Sequence, residues 1–264
     1  MNKVLPFAQR QGQRQEQGEL LLRVGIVQFK PCFKQKDINL QSLALLIDEA
    51  VRQRANIIIL PEMCTTGYSF NSKLDISSYL ETKEGKSYHF FSKLAKQHSV
   101  YIVYGFAEKS GNRCYNSQNL INHQGELVST YRKKNLFYLD KCWADSGNLG
   151  YISVATSLGV IGLGICMDLN ITDFSEFHRI QNSQLVAVSS CWLASQDNDD
   201  LTYWRDRCAG FTGVLAISNI YGLENGHTFI GKSCIIEDSI TVAHCGANRT
   251  QVLVSEHFIS TKST

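Results

Sequence analysis

Gly159-Val160-Ile161-Gly162-Leu163-Gly164-Ile165-Cys166-Met167-Asp168 is the stretch on which the reading of this chain turns. An apolar run punctuated by glycines stops abruptly at a thiol and an acid. A short run of this kind reads as a buried strand, and glycines inside it let another backbone approach closely. A cysteine at the end of such a strand is held by a rigid scaffold, where a nucleophile belongs. Read alone, it is equally a small buried hydrophobe, which is what most free cysteines are. The choice depends on finding a base and a cation elsewhere.

Upstream, residues 21–29 (LLRVGIVQF) read as a strand, and Asp37 offers an N-cap to a helix whose apolar stripe is Leu40, Leu43, Ala44, Ile47, Ala50 and Val51. Ile57-Ile58-Ile59-Leu60, closed by Pro61, completes a strand–helix–strand unit, which favours parallel pairing. A helix is expected at 88–98, strands at 100–106 and 116–121, a turn at His123-Gln124-Gly125 and a strand at 128–131. Beyond the central strand, 173–182 and 200–212 read as helices, and 185–188 and 214–218 as strands. Residues 229–237 and 239–244 suggest a hairpin across Asp238, and 251–258 a last strand. Strand and helix signals alternate throughout with no Pro/Ser-rich linker, so the expectation is α/β with one domain over residues 20–264. Residues 1–19, rich in Gln and Arg and without periodicity, are expected to form a disordered polar leader.

Composition narrows the classes. A 264-residue chain that is 44% hydrophobic can build one substantial core. A net charge of +2 implies no polyanionic partner, and Arg132-Lys133-Lys134 is too short a cluster to suggest nucleic acid. No apolar run reaches membrane-spanning length and the N-terminal residues have no signal-peptide core, so a cytoplasmic protein without membrane association is expected. The nine cysteines and seven histidines show no metal-ligand spacing, so no metal is expected and most thiols should be reduced and buried. Gly162-Leu163-Gly164 lacks the third glycine and helix opening of a phosphate-binding loop.

Three chemistry-bearing residues each follow a predicted strand: Glu62, Lys133 and Cys166. Side chains leaving the C-terminal ends of strands in an α/β sheet converge on one crevice. A carboxylate there would take the thiol proton, the thiolate would attack an acyl carbon, and the ammonium would steady the oxyanion. A free thiol is only a few per cent ionised at neutral pH, so it needs such help. Taken singly, Glu62 also reads as a loop acid and Lys133 as a surface charge.

Four blocks together resemble the nitrilase, or carbon–nitrogen hydrolase, superfamily. They are Val24-Gly25-Ile26-Val27-Gln28-Phe29; Ile58-Ile59-Leu60-Pro61-Glu62 with Thr66-Gly67-Tyr68; Tyr131-Arg132-Lys133-Lys134-Asn135-Leu136-Phe137; and Gly162-Leu163-Gly164-Ile165-Cys166-Met167-Asp168. The resemblance implies an α-β-β-α sandwich, a Glu62–Lys133–Cys166 catalytic set, no cofactor, and association into a homo-oligomer, a dimer, through the surface beside the cysteine. Two departures stand out. Asn135 replaces the usual histidine, and Asp140 stands where a second glutamate is common, so Asp140 is the candidate to position the Lys133 amine or the substrate; its other reading is a loop acid.

The step Cys166-Met167-Asp168-Leu169-Asn170, followed later by Cys191-Trp192-Leu193, also resembles amidases acting on N-terminal Asn or Gln of proteins. This implies a hydrolase of a carboxamide C–N bond, working through a thioester on a peptide N-terminus. The alternatives are a small free amide or N-carbamoyl compound, or an inactive binding module that keeps the fold. Asp168 would then bind the substrate α-ammonium or, on the other reading, orient the turn after Cys166. Tyr68 and Trp192 are candidates for the pocket wall and, equally, for the core.

Overall fold

The computed structural model describes residues 19–194, 200–207, 211 and 213–260. In chain order the elements are β1 (Glu19–Gln28), α1 (Lys36–Arg52), β2 (Ile57–Ile59), α2 (Lys73–Ile76), α3 (Lys86–His98), β3 (Tyr101–Ser110), β4 (Arg113–Ile121), β5 (Leu127–Arg132), β6 (Ile152–Thr156) and β7 (Gly159–Ile165). They continue with α4 (Thr172–Ile180), β8 (Leu185–Ser190), α5 (Asp200–Arg207), β9 (Val214–Asn219), β10 (Tyr221–Glu224), β11 (His227–Ile230), β12 (Cys234–Glu237), β13 (Ile240–His244) and β14 (Gln251–Ser260). Most strands form two six-stranded sheets, in the orders β14-β1-β2-β3-β4-β5 and β13-β12-β9-β8-β7-β6, while β10 and β11 make a separate ribbon. The centre of each sheet is parallel, β1-β2-β3 in one and β7-β8-β9 in the other, and the edges are antiparallel.

Strand alternation divides the apolar side chains into layers. Leu22, Val24 and Ile26 of β1, Ile57 and Ile59 of β2 and Val103 of β3 face Ile161, Leu163 and Ile165 of β7, Leu185 and Ala187 of β8 and Ala216 of β9 between the sheets. The intervening residues Val27, Ile58, Ile102 and Tyr104 pack outward on Leu40, Leu43 and Ile47 of α1 and Phe91 and Ala95 of α3. On the other side Val186, Val188, Leu215 and Ile217 meet Phe174 of α4 and Trp204 of α5. The result is the expected α-β-β-α sandwich. Strands covered on both faces explain the unbroken apolar runs at 57–60 and 185–188.

Polar side chains pin one sheet to the other. Gln118 of β4 donates to Ser189 Oγ of β8 at 2.8 Å, and Ser189 donates to the Leu60 carbonyl at 2.7 Å. Farther along, Ser218 of β9 donates to the Val27 carbonyl, and Gln28 accepts the Ser233 N–H at 2.9 Å. Hydrophobic packing alone permits sliding; buried directional bonds fix the relative register.

Several sequence expectations need correction. Asp37 is not an N-cap: α1 starts at Lys36 after Gln35, which makes no side-chain cap bond, and Asp37 lies in the first turn, paired with Lys86 of α3. The expected leader falls outside the described residues except Glu19, which pairs with Ser260 as the first residue of β1. The run 229–237 is two strands, because Gly231 and Lys232 take φ of 64° and 53° and turn the chain out of the ribbon into the second sheet. The β12–β13 hairpin turns on Asp238 and Ser239 together, both at positive φ, as a two-residue primed turn requires. Helix α4 stops at Ile180, with Asn182 at φ 50°, and α5 is described to Arg207. Neither β6, an edge strand, nor β10 shows a periodicity strong enough to read from sequence. Of the eight described cysteines, Cys32 and Cys142 are exposed and the rest buried, all as free thiols. No described helix is long and apolar enough to cross a membrane.

One glycine ties the packing of β3 to the position of Glu62. A Cβ on Gly105 would stand 2.6 Å from Glu62 Cα, 2.8 Å from Met63 N and 2.9 Å from the Pro61 carbonyl oxygen. All three are backbone atoms and cannot swing aside, so any larger residue at 105 displaces the bend that carries Glu62.

Candidate active site

Pro61 ends the β2 segment, and the chain turns sharply through Met63, which sits at φ 48°. The bend leaves Glu62 fully buried. Its Oε1 accepts from Lys133 Nζ at 2.6 Å and from Asn116 Nδ2 at 2.6 Å, while Oε2 has no partner among the described residues. Lys133 follows β5 and is equally buried; its backbone N–H donates to the Asn116 carbonyl at 2.8 Å. Its ammonium lies between Glu62 Oε1 and Asp140 Oδ2, the latter at 2.7 Å. Asn116 ties the two acids together, donating also to Asp140 Oδ1 at 2.9 Å. Asp140 opens a short 3-10 turn, Asp140–Cys142, and its Oδ2 also accepts the Phe137 N–H at 2.9 Å.

Cys166 completes the group from the opposite sheet. It leaves β7 at φ 44°, a left-handed conformation that costs a non-glycine residue about 1 kcal/mol. The strain is held by Asp168. Its Oδ2 accepts the Tyr131 hydroxyl at 2.8 Å and the Ile165 N–H at 3.0 Å, and its Oδ1 accepts the Asn135 N–H at 3.2 Å and Asn135 Nδ2 at 2.9 Å. Four donors occupy this carboxylate, and it is fully buried. Of the two readings of Asp168, the geometry favours orientation of the turn over capture of an α-ammonium. Asn135, the departure from the usual histidine, acts within the same arrangement and donates to Tyr151 Oη at 3.0 Å as well.

The electrostatics follow from burial. Burial raises the Glu62 pKa and Asp140 adds to the rise, with Lys133 and Asn116 opposing without reversing it. Burial alone would lower Lys133, but Asp140 and Glu62 outweigh it and keep the ammonium charged well past the ordinary lysine range. The Cys166 thiol is pushed up to about 12, by burial first and by Glu62 second; Lys133, the Ser190 hydroxyl and the Cys191 N–H pull the other way. The resting site is thus a neutral thiol beside a carboxylate with one unengaged oxygen and a fixed cation. Such an arrangement can move a proton from sulfur to Glu62 as sulfur attacks, and can stabilise an oxyanion with Lys133.

Tyr68 joins this group: it is buried, its ring lies 5.7 Å from Lys133 Nζ, and its hydroxyl has no partner among the described residues. Trp192 packs both against the inter-sheet core that includes Cys166 and within an aromatic set, edge-on to Trp204 at 5.5 Å and 5.8 Å from Tyr203. Its backbone is clamped by Asn219 Oδ1 at 2.9 Å and by the Ile230 N–H at 3.0 Å. Sequence reasoning passed over Asn116, Ser190 and Cys191, whose Sγ donates to the Glu62 carbonyl at 3.2 Å. Asn116 and Ser190 lie in no motif, Cys191 stood in the Cys191-Trp192-Leu193 step without a role of its own, and only strand pairing brings the three here. Among the described residues no group of three His, Cys, Asp or Glu side chains is arranged to hold a metal ion.

Comparison with known proteins gives concordant results. Residues 23–257 match the carbon–nitrogen hydrolase family model. The chain is 29% identical over 260 residues to the protein N-terminal amidase of Schizosaccharomyces pombe, covering 82% of this chain and 91% of that one. It is 30% identical over 226 residues to the nitrilase of Pyrococcus abyssi, covering 81% of each. A crystal structure of an N-terminal amidase with an Asn-Glu-Ala peptide superposes with a TM-score of 0.80 over 91% of this chain and 98% of that one; at 16% identity this likeness concerns the fold.

Asp168→Ala would orphan the Ile165 and Asn135 N–H groups and the Tyr131 hydroxyl around a strained residue. A stability loss of about 3 kcal/mol is expected, measured by urea denaturation, with Asp168→Asn losing less.

Proposed function

This chain belongs to the carbon–nitrogen hydrolase family, and on that premise we propose that it is an amidase in which Cys166 attacks a carboxamide carbon. The observation that carries the reading is the buried ammonium of Lys133, held between Glu62 at 2.6 Å and Asp140 at 2.7 Å and close enough for its charge to act on the Cys166 thiol. Glu62, through its unengaged Oε2, accepts the thiol proton as sulfur bonds to the carbonyl carbon. Lys133 and a backbone N–H of the 3-10 turn Cys166–Asn170 receive the oxyanion. As the tetrahedral species collapses, the C–N bond breaks and Glu62 passes its proton to the nitrogen, which leaves as ammonia. Glu62 then deprotonates water, which adds to the thioester; the C–S bond breaks and the proton returns to sulfur. Asp140 positions the ammonium. No step calls on a cofactor.

The substrate class we propose is the side-chain amide of N-terminal Asn or Gln on a peptide. Support comes from the fission-yeast N-terminal amidase among the relatives and from the Cys166-Met167-Asp168-Leu169 step. A second reading, a small free amide or N-carbamoyl compound, is favoured by Asp168, whose oxygens are committed inside the protein and do not supply an anion for an α-ammonium.

Four outcomes are expected. Cys166→Ala abolishes ammonia release while circular dichroism stays native; retained turnover would remove the nucleophile assignment. Ammonia release is expected from Asn-peptides in preference to free glutamine and a carbamoyl amino acid, and release from the free compounds alone would select the second reading. Because the base must be ionised and its pKa is raised, kcat/KM falls on the acid side with an apparent pKa above the ordinary carboxylate value of about 4.3. Asp140→Asn, which removes one of the two anions on Lys133, lowers kcat/KM about 100-fold, or about 2.7 kcal/mol.

A further inference from the structure

Ser189 and Ser190 are adjacent in sequence and both fully buried, yet their surroundings differ. Ser189 is structural: its hydroxyl donates to the Leu60 carbonyl and accepts from Gln118. Ser190 Oγ has no hydrogen-bond partner among the described residues. A buried hydroxyl left unsatisfied costs about 1–3 kcal/mol, and native structures rarely tolerate one without a reason.

Strand register supplies the reason. β7 and β8 run parallel with Ile165 opposite Ser189 as their last paired positions. The next residues are Ser190, the last of β8, and Cys166, the first beyond β7, so both belong to the same C-terminal edge of the sheet. The Ser190 hydroxyl and the Cys191 backbone N–H both bear on the Cys166 sulfur and favour its ionised form.

We propose that Ser190 is a further catalytic residue, whose hydroxyl donates a hydrogen bond to the Cys166 sulfur whenever that sulfur carries negative charge. The inference rests on the reading of Cys166 as nucleophile. The need for such a donor arises from the charges around the thiol: the buried group contains two carboxylates, Glu62 and Asp140, and one ammonium already engaged by both. Ionisation of the thiol is therefore opposed by Glu62 until that carboxylate has taken the proton, and Lys133 offsets the cost only in part. Neutral thiol sulfur is a weak acceptor and thiolate a strong one, so the Ser190 bond strengthens during attack and again as the thiolate leaves the thioester. A bond that is stronger in the transition state than in the ground state is the kind that raises kcat. The serine proton stays on its oxygen; no bond to Ser190 forms or breaks.

The test is alkylation of the full chain with iodoacetamide across the neutral and alkaline range, with the Cys166 peptide followed by mass spectrometry. Ser190→Ala is expected to slow Cys166 labelling about tenfold, the equivalent of one pKa unit, and by a similar factor throughout that range, because the thiol is still largely protonated there in both proteins. Ser190→Thr retains the neutral-pH rate. Should the alanine variant fail to fold, Ser190→Thr and Ser190→Val form a near-isosteric pair with and without the hydroxyl, and valine alone is expected to be slow. If the hydroxyl-free variants label Cys166 at the wild-type rate, the role of Ser190 is overturned and the nucleophile reading stands. If Cys166→Ala retains ammonia release, the nucleophile reading itself fails, and this inference with it.

Discussion

The ammonium of Lys133 sits where water does not reach, and the surrounding structure is arranged to make that tolerable. An unpaired charge at such depth costs several kcal/mol, so two carboxylates meet it within 2.7 Å. Those acids repel each other, and Asn116 bridges them with both hydrogens of its amide. The geometry then propagates to the backbone. Asp140 must lie in a tight turn, Glu62 at a sharp bend, and β3 must pass so close to that bend that position 105 can only be glycine. A charged group that would lower stability in isolation becomes the reason for the local chain path.

The thiol reaches this cluster from a different sheet. Face-to-face packing of the two sheets sets the spacing, and the Gln118–Ser189–Leu60 bonds set the lateral position. Cys166 then leaves its strand in a left-handed conformation, retained because Asp168 gathers donors from the Cys166 turn, from the end of β5 and from Asn135. Base and cation belong to one layer and nucleophile to the other. The site exists only as long as both layers stay in register, which links stability of the core directly to chemistry.

Much of the architecture was legible in the chain because strands buried on two faces leave continuous apolar runs, while α1 and α3 show a one-sided stripe. Residues 57–60 and 159–165 are plain for that reason. β6 and β10 were not: an edge strand and a ribbon strand bury less and carry a mixed composition. The misread segment at 229–237 looked continuous because positive φ at Lys232 leaves no mark on hydrophobicity. Asp37 has the right chemistry for a cap, but α1 begins before it, at Lys36, and Asp37 in the first turn pairs with Lys86 of α3 instead.

By itself, the sequence determined which residue types end the buried strands: an acid at 62, an amine at 133 and a thiol at 166. That information is local, since each follows its own apolar run. What each of those groups is bonded to was decided by tertiary structure. Asp140 against Lys133, Asn116 between two carboxylates, Asp168 turned inward and Ser190 beside the sulfur all depend on chain segments far apart in sequence. Hydrophobic pattern specifies the layers a residue lies between; only the folded backbone specifies which donor faces which acceptor, because hydrogen bonds and ion pairs depend on distances of an ångström that no periodicity encodes.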